Sequence, residues 1–302
     1  MGRMPLKNAL FLFGAALIWG VAFVAQSVGM DYMGPFTFGG IRFLMGSLVL
    51  MPFIYLRGRS EKSLPGEEKY SAGTGRTIAA GMICGTVLFA AAMLQQVGII
   101  TTDVGKAGFL TAMYIVIVPV LSFFITGRTS AKIWVSVGLA TVGLYFLSIK
   151  DGFSLERGDM LLILCAFLFS LHIICIDYFS DVDPVKLSCV QFITAGLLAS
   201  AVALVREGFQ IRFDRAGIIC LLYTGLLSTG CAYTFQIIGQ NGADPAIASL
   251  LLSLESVISV IAGFLILHQA LSPRELLGCA IMFVAIVLVQ LPLKSKEPEQ
   301  AV

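Results

Sequence analysis

The chain has 302 residues and a net charge of +2, with 58% hydrophobic and 13% charged residues, against roughly 45–50% and about 25% in a typical soluble domain. A membrane crossing takes about 20 apolar residues, so the length allows about ten crossings and leaves no sizeable water-soluble domain. The small net charge, spread between the apolar runs rather than gathered in one patch, gives no ground for a nucleic-acid partner and reports topology instead.

Uncharged runs bounded by Gly, Pro and charge clusters predict ten helices. The N-terminus is basic and then apolar, like a signal peptide. Its run from Asn8 to Met30 is too long for a signal-peptide core and lacks an A-x-A cleavage site. It is therefore the first span, 8–29, and carries Trp19, Phe23 and Gln26 on one face at spacings of four and three. The second span, 36–56, holds Arg42 two turns in, deep for a side chain that must snorkel to water. A polar link, Arg57–Arg76, leads to span 77–99 with Gln95 and Gln96, then to span 104–125 with Tyr114 and Pro119, and to span 131–149. The second half reads 158–178 with His172, 185–205 with Gln191, 215–239 with Tyr233 and Gln236, 245–267 with Glu255, and 273–292. Asp183-Pro184, Asp244-Pro245 and Ser272-Pro273 each place a capping side chain before a proline at the first helical position. Ser272 and Glu275 add a capping box. All seven cysteines fall in apolar runs with no CxxC pair and no His at metal-ligand spacing. They read as packing residues, so no metal and no cofactor is expected.

The chain repeats itself. Sliding it by 141 lays Gln95, Gly98, Asp103 and Ala107 on Gln236, Gly239, Asp244 and Ala248, and puts Tyr114 where Glu255 stands. In the second helix Pro35, Arg42 and Phe43 match Pro184, Gln191 and Phe192 at an offset of 149, the difference being the longer link after it. Each half, 1–150 and 151–302, holds five spans. An odd number makes the second copy enter the membrane from the opposite side, which is the inverted repeat of many secondary transporters. With the N-terminus inside, the inner segments hold twelve Lys and Arg: Arg3, Lys7, Arg57, Arg59, Lys62, Lys69, Arg76, Arg128, Lys132, Lys186, Lys294 and Lys296. The outer segments hold seven, namely Lys106, Lys150, Arg157, Arg206, Arg212, Arg215 and Arg274. Both termini are therefore expected in the cytoplasm.

Ala16, Trp19 and Gly20 as Ala-x-x-Trp-Gly, the Pro35…Arg42-Phe43 helix and the proline-bearing helix around Pro119 form one set of motifs. With the small-residue final helices Trp134–Leu147 and Leu277–Gln290, they make the chain resemble the drug/metabolite transporter superfamily, in particular its proteins with two EamA domains. The resemblance implies ten helices, cytoplasmic termini, and a central cavity lined by the first four helices of each half, with helices 5 and 10 set aside. It also implies carriage of small organic solutes, often amino acids or related metabolites and often outward, in the plasma membrane, which in bacteria is the inner membrane. The chain departs from the family at Phe169-Ser170-Leu171-His172, where many relatives have an aromatic followed by Ala, and at Glu255-Ser256, where many have Glu-Pro.

Glu255 is a carboxylate mid-span, costing about 2.5–3.5 kcal/mol on insertion scales. It is a candidate either to exchange a proton and so couple transport, or to hold a substrate amine; its alternative role is to lock its helix to a neighbour. On that helix Ala248, Leu252, Glu255, Ser259 and Ala262 share a stripe, beside a packing seam of Ser249, Ser253, Ser256 and Gly263. Arg42 is open between binding a substrate carboxylate, pairing with Glu255 and bonding backbone carbonyls. Trp19, Phe23, Gln26, Gln95, Tyr114, Tyr233 and Gln236 are candidate solute contacts, the amides being equally suited to bonds between helices. His172 is read as a candidate contact or proton relay, or as a hydrogen-bonded structural histidine. Its H-x4-D spacing to Asp177 turns the two side chains about 140° apart on a helix, which argues against an acyltransferase. Pro119 frees the carbonyl of Ile115 and is a candidate hinge. No G-x4-GK[ST] string occurs, so no nucleotide partner is expected. The expected function is a secondary carrier of small organic solutes, set against a passive channel and a membrane enzyme acting on lipids.

Overall fold

A computed structural model describes residues 4–61, 70–127, 130–148, 156–209, 211–212, 214–268 and 272–290. Among them the chain forms ten helical rods. They are α1 (Leu6–Gly29), α2 (Pro35–Glu61), α3 (Thr74–Gly98), α4 (Val104–Ala112 continued by Tyr114–Thr126) and α5 (Ala131–Ser148). Then come α6 (Arg157–Tyr178), α7 (Pro184–Arg206), α8 (Arg215–Leu222, Tyr223–Tyr233 and Thr234–Gln240), α9 (Pro245–Leu252 continued by Leu254–Leu267) and α10 (Pro273–Gln290). Eight rods are long and apolar enough to cross a bilayer. The other two, α5 and α10, have 18 residues each, about 27 Å of helix. Large apolar side chains such as Phe13, Leu48, Met82, Leu197, Leu265 and Phe283 point outward, as an all-α polytopic membrane protein requires where lipid is the solvent.

The expected spans match these rods with four differences. Helix α2 runs past its apolar stretch to Glu61, α4 and α9 are each broken near the middle, and α8 is π-helical over Tyr223–Tyr233. Asp183 accepts from the backbone N–H of Val185 and Lys186, and Asp244 from that of Ala246, as their positions before proline predicted. The Glu275 side chain of the Ser272 capping box lies outside the described residues, as do Arg3, Lys62, Lys69, Arg128, Lys150, Lys294 and Lys296 of the orientation count.

The packing exchanges one half for the other. Helix α2 packs on α7 and α5 on α10; α1 packs on α8 and α9 as α6 packs on α3 and α4. Swapping the first five rods for the last five preserves this scheme, and because five is odd, α6 runs opposite to α1. The α5–α10 pair lies to one side of the other eight.

Polar links tie the halves at both ends of the bundle. At the end where α1 finishes, Glu207 reaches across to cap α2, its carboxylate accepting from the N–H of Phe36 (3.0 Å), the N–H of Thr37 (2.7 Å) and Thr37 Oγ1 (2.6 Å). Asp159 at the start of α6 takes Lys106 Nζ at 2.6 Å and the hydroxyl of Thr102 at 3.3 Å. At the other end Arg76 holds Asp181 side-on, and its hydrogen bond keeps that carboxyl below the usual carboxylate range. This pair's contribution is therefore present above that range and fades as the pH falls through it. Asn8 Nδ2 also donates there to the carbonyls of Gly239 and Asn241.

Gly34 makes the Glu207 cap possible. A Cβ there would fall 2.3 Å from Glu207 Cδ and 2.4 Å from Oε2. Gly34→Ala is expected to displace the carboxylate and cost about 1–2 kcal/mol, the worth of a helix cap, read as a lower melting temperature in detergent. An unchanged melting temperature would mean the carboxylate is not seated there.

Candidate functional site

The breaks in α4 and α9 fall at Met113 and Ser253, so each helix restarts with Tyr114 or with Leu254-Glu255. In both, a backbone N–H just past the break turns to the carbonyl three residues back: Val116 to Met113 at 3.0 Å and Ser256 to Ser253 at 3.1 Å. Pro119 was the expected hinge, and the structure places the interruption six residues earlier. The second copy breaks at the same level with Val260 in the proline's place, so proline does not cause it. In α9 four buried serines, Ser249, Ser253, Ser256 and Ser259, each donate to the carbonyl three residues back at 2.7–2.9 Å, a bonding pattern that bends helices.

The two restarts face each other. Tyr114 Oη donates to Glu255 Oε1 at 2.9 Å, with Tyr114 3% and Glu255 4% exposed. Since the two residues are counterparts in the repeat, their contact lies where the halves exchange.

Around this bond lies a cavity whose empty space, part of it open to the outside, is about 440 Å³. Ten of its fourteen lining residues are repeat counterparts. Gln95 matches Gln236, Thr111 matches Leu252 and Tyr114 matches Glu255 at the offset of 141. Trp19 matches Phe169 and Phe23 matches Ile173 at 150. Burial confirms the last register, because Leu12, Ala15, Ala16, Ala22 and Phe23 fall on Leu162, Cys165, Ala166, His172 and Ile173, all buried. The four lining residues that break the match are Gln26, Arg42, Ser228 and Tyr233. Helices α1 to α4, α6, α8 and α9 supply the wall; α7, expected there, contributes none of the lining side chains.

Aromatic rings shape one side. Trp19 lies edge-on to Tyr233 with centroids 4.6 Å apart, and its indole N–H donates to the carbonyl of Ser228 at 3.1 Å. Both partners belong to the π-helical segment of α8, a distortion that often accompanies functional sites. Gln95 and Gln236 line the cavity, while Gln96 and Gln240 act as ties between helices, donating to the carbonyls of Gln26 and Ile173.

The structure narrows two residues that the sequence leaves open. His172 does not line the cavity: it stands behind the wall, fully buried, with Nε2 3.1 Å from Gln191 Oε1 and its ring edge-on to Tyr233. It stands beside the cavity-facing positions of α6, Phe169 and Ile173, and turns away from the cavity toward Gln191. Arg42 lines the cavity but pairs with neither Glu255 nor a backbone carbonyl among the described residues; its Nε and Nη2 have no hydrogen-bond partner. Thr111, Phe169, Ile173, Ser228 and Leu252 are lining residues the sequence reading passed over. Phe169 and Ile173 are reachable as the repeat counterparts of Trp19 and Phe23, Leu252 lies on the Glu255 stripe and leads to its own counterpart Thr111, and Ser228 carries no such signal.

A model described as the EamA-like transporter family matches residues 6–149 and again 156–291. An uncharacterized transporter of Archaeoglobus fulgidus is 31% identical over 278 residues, covering 91% of this chain and 83% of its own. An uncharacterized transporter of Bacillus subtilis, YoaV, is 24% identical over 91% of this chain and 94% of its own. A solved crystal structure superposes with a TM-score of 0.76 over 93% of this chain and 95% of that one, at 17% identity, which speaks to the fold alone.

Proposed function

The chain belongs to the EamA-like transporter family, and we propose that it is a secondary carrier moving small organic solutes across the plasma membrane, outward in net flux. In this reading the halves 1–150 and 151–302 rock about the shared cavity, and both termini are cytoplasmic. The observation that carries it is the cavity itself: a space lined by counterparts of two inverted halves, which polar links tie at both ends of the bundle. That is the geometry in which a solute is reached from one side at a time. Glu255 is the proton-exchanging group, since it is the lining carboxylate and its one described hydrogen bond comes from a neutral hydroxyl.

Counterflow in proteoliposomes tests the reading. A panel of amino acids, organic acids, sugars and nucleosides is loaded, and labelled entry is followed with and without an inward-acid gradient. Saturable counterflow for one class is expected; flux rising linearly with concentration would make the protein a channel. Within the same assay, Trp19→Ala should weaken apparent affinity about ten-fold, the order of an aromatic contact plus its lost area. An unaltered affinity would reduce Trp19 to a packing residue.

A further inference from the structure

Arg42 is the cation of the cavity wall and the protein leaves it unfinished. It is 1% exposed, its guanidinium carbon lies 4.8 Å from the Phe43 ring centroid, and neither Nε nor Nη2 meets an acceptor among the described residues. A buried guanidinium edge without an acceptor is unfavourable enough that native structures rarely keep one without reason.

The repeat supplies the contrast. In the second half the counterpart of Arg42 is Gln191, and its amide oxygen is engaged by His172. The burial register of α1 against α6 puts Ala22 in the first half where His172 stands in the second. One copy therefore engages the amide oxygen internally, although Gln191 Nε2 and His172 Nδ1 still have no partner among the described residues. The other replaces the partner by a methyl group, the amide by a guanidinium, and turns the result toward the cavity.

The vacant edge has a specific shape. Elsewhere in this chain Arg76 uses the same two atoms, Nε and Nη2, to take the two oxygens of Asp181, the second at 2.9 Å. That side-on fork matches a carboxylate and cannot be filled equally by a single amide oxygen. The cavity's own carboxylate does not fill it: Glu255 is held by Tyr114, and no ion pair joins it to Arg42. Beside the fork stand the rings of Trp19, Phe23, Phe169 and Tyr233.

We propose that Arg42 is a substrate-binding residue and that the solutes are small organic carboxylates with a flat or branched apolar body, the carboxylate seated side-on against Nε and Nη2. The assignment rests on reading the cavity as the transport site, but its first test does not require transport.

Purified protein in detergent is melted with phenylacetate, indole-3-acetate and 4-methylpentanoate, each beside its neutral amide, and with 2-phenylethylamine. At least one acid should raise the melting temperature, with its amide requiring about ten-fold more or failing. Equal stabilisation by acid and amide, stabilisation by the amine alone, or no response to any acid would overturn the proposal. Arg42→Gln, which copies Gln191, should lose the preference for acid over amide and melt no lower than wild type without ligand. Arg42→Lys should bind the acid more weakly than wild type, because it keeps the charge and loses the fork. A marked fall in the ligand-free melting temperature of Arg42→Gln would overturn the proposal, since it would give the arginine a structural role. Acid binding without counterflow would refute the carrier reading while leaving Arg42 as a carboxylate site; counterflow equally fast for acid and amide would do the reverse.

Discussion

Proteoliposomes carrying Glu255→Gln should exchange solute by counterflow at close to the wild-type rate and fail to accumulate it against a gradient when a pH difference is imposed. The amide preserves the shape of the side chain and keeps an oxygen where Oε1 accepts from Tyr114 Oη at 2.9 Å, so folding and solute contacts survive. What it removes is the one lining carboxyl able to alternate between charged and neutral forms. If one proton exchanges per solute, a difference of one pH unit is worth about 1.4 kcal/mol, or about ten-fold accumulation in wild type. The variant should show none. Tyr114→Phe should retain the coupling, because the phenol only orients the carboxyl. Undiminished gradient-driven accumulation in Glu255→Gln would sink the proton role and leave the residue as the tie between α4 and α9.

The contact that this experiment probes was half visible in the sequence. The offset of 141 named Tyr114 and Glu255 as counterparts, and an inverted repeat brings counterparts together only near the line about which the halves exchange. What the offset could not show is where each helix stops being regular. Pro119 drew attention because proline breaks backbone bonds. The breaks lie instead at Met113 and Ser253, beside tight backbone bonds from Val116 and Ser256 and, in α9, beside a run of serine hydroxyls bonded to carbonyls, and hydroxyl bonding of this kind leaves no mark in hydropathy. The same limit applies to Arg42. Depth in the membrane was legible, but pairing is a relation between helices, and the sequence alone left three partners open where the structure supplies none. Trp19, Phe23 and Gln26 all line the cavity, since their spacing fixes one helix face and the family resemblance says which way it looks. For His172 the sequence leaves a solute contact and a hydrogen-bonded structural histidine both open, because no such face is defined for α6 until burial aligns it with α1, and its bond to Gln191 fits the second.

Packing shows where the halves tolerate no change. A Cβ added at Gly20 would fall 2.4 Å from Ile258 Cβ, 2.5 Å from Ile258 Cγ2 and 2.9 Å from the Glu255 carbonyl oxygen. These obstacles are a β-branch point and backbone rather than a mobile side-chain end, so α1 itself must move. In the second half the counterpart is Ser170, which has room for its side chain and donates to the Ala166 carbonyl at 2.7 Å. The closer approach is therefore particular to α1 on α9, beside the Glu255 break. Gly20→Ala should cost about 1–3 kcal/mol through overpacking and should also impair counterflow, because Trp19 and Glu255 sit on the two surfaces driven apart. The matching control is Gly138→Ala in α5, where nothing lies within 4 Å of the new methyl. There alanine's advantage in a helix, about 1 kcal/mol, should hold or raise the melting temperature. A Gly20→Ala protein as stable and active as the Gly138→Ala control would mean that α1 can withdraw from α9 without cost. The cavity would then not depend on that crossing for its shape.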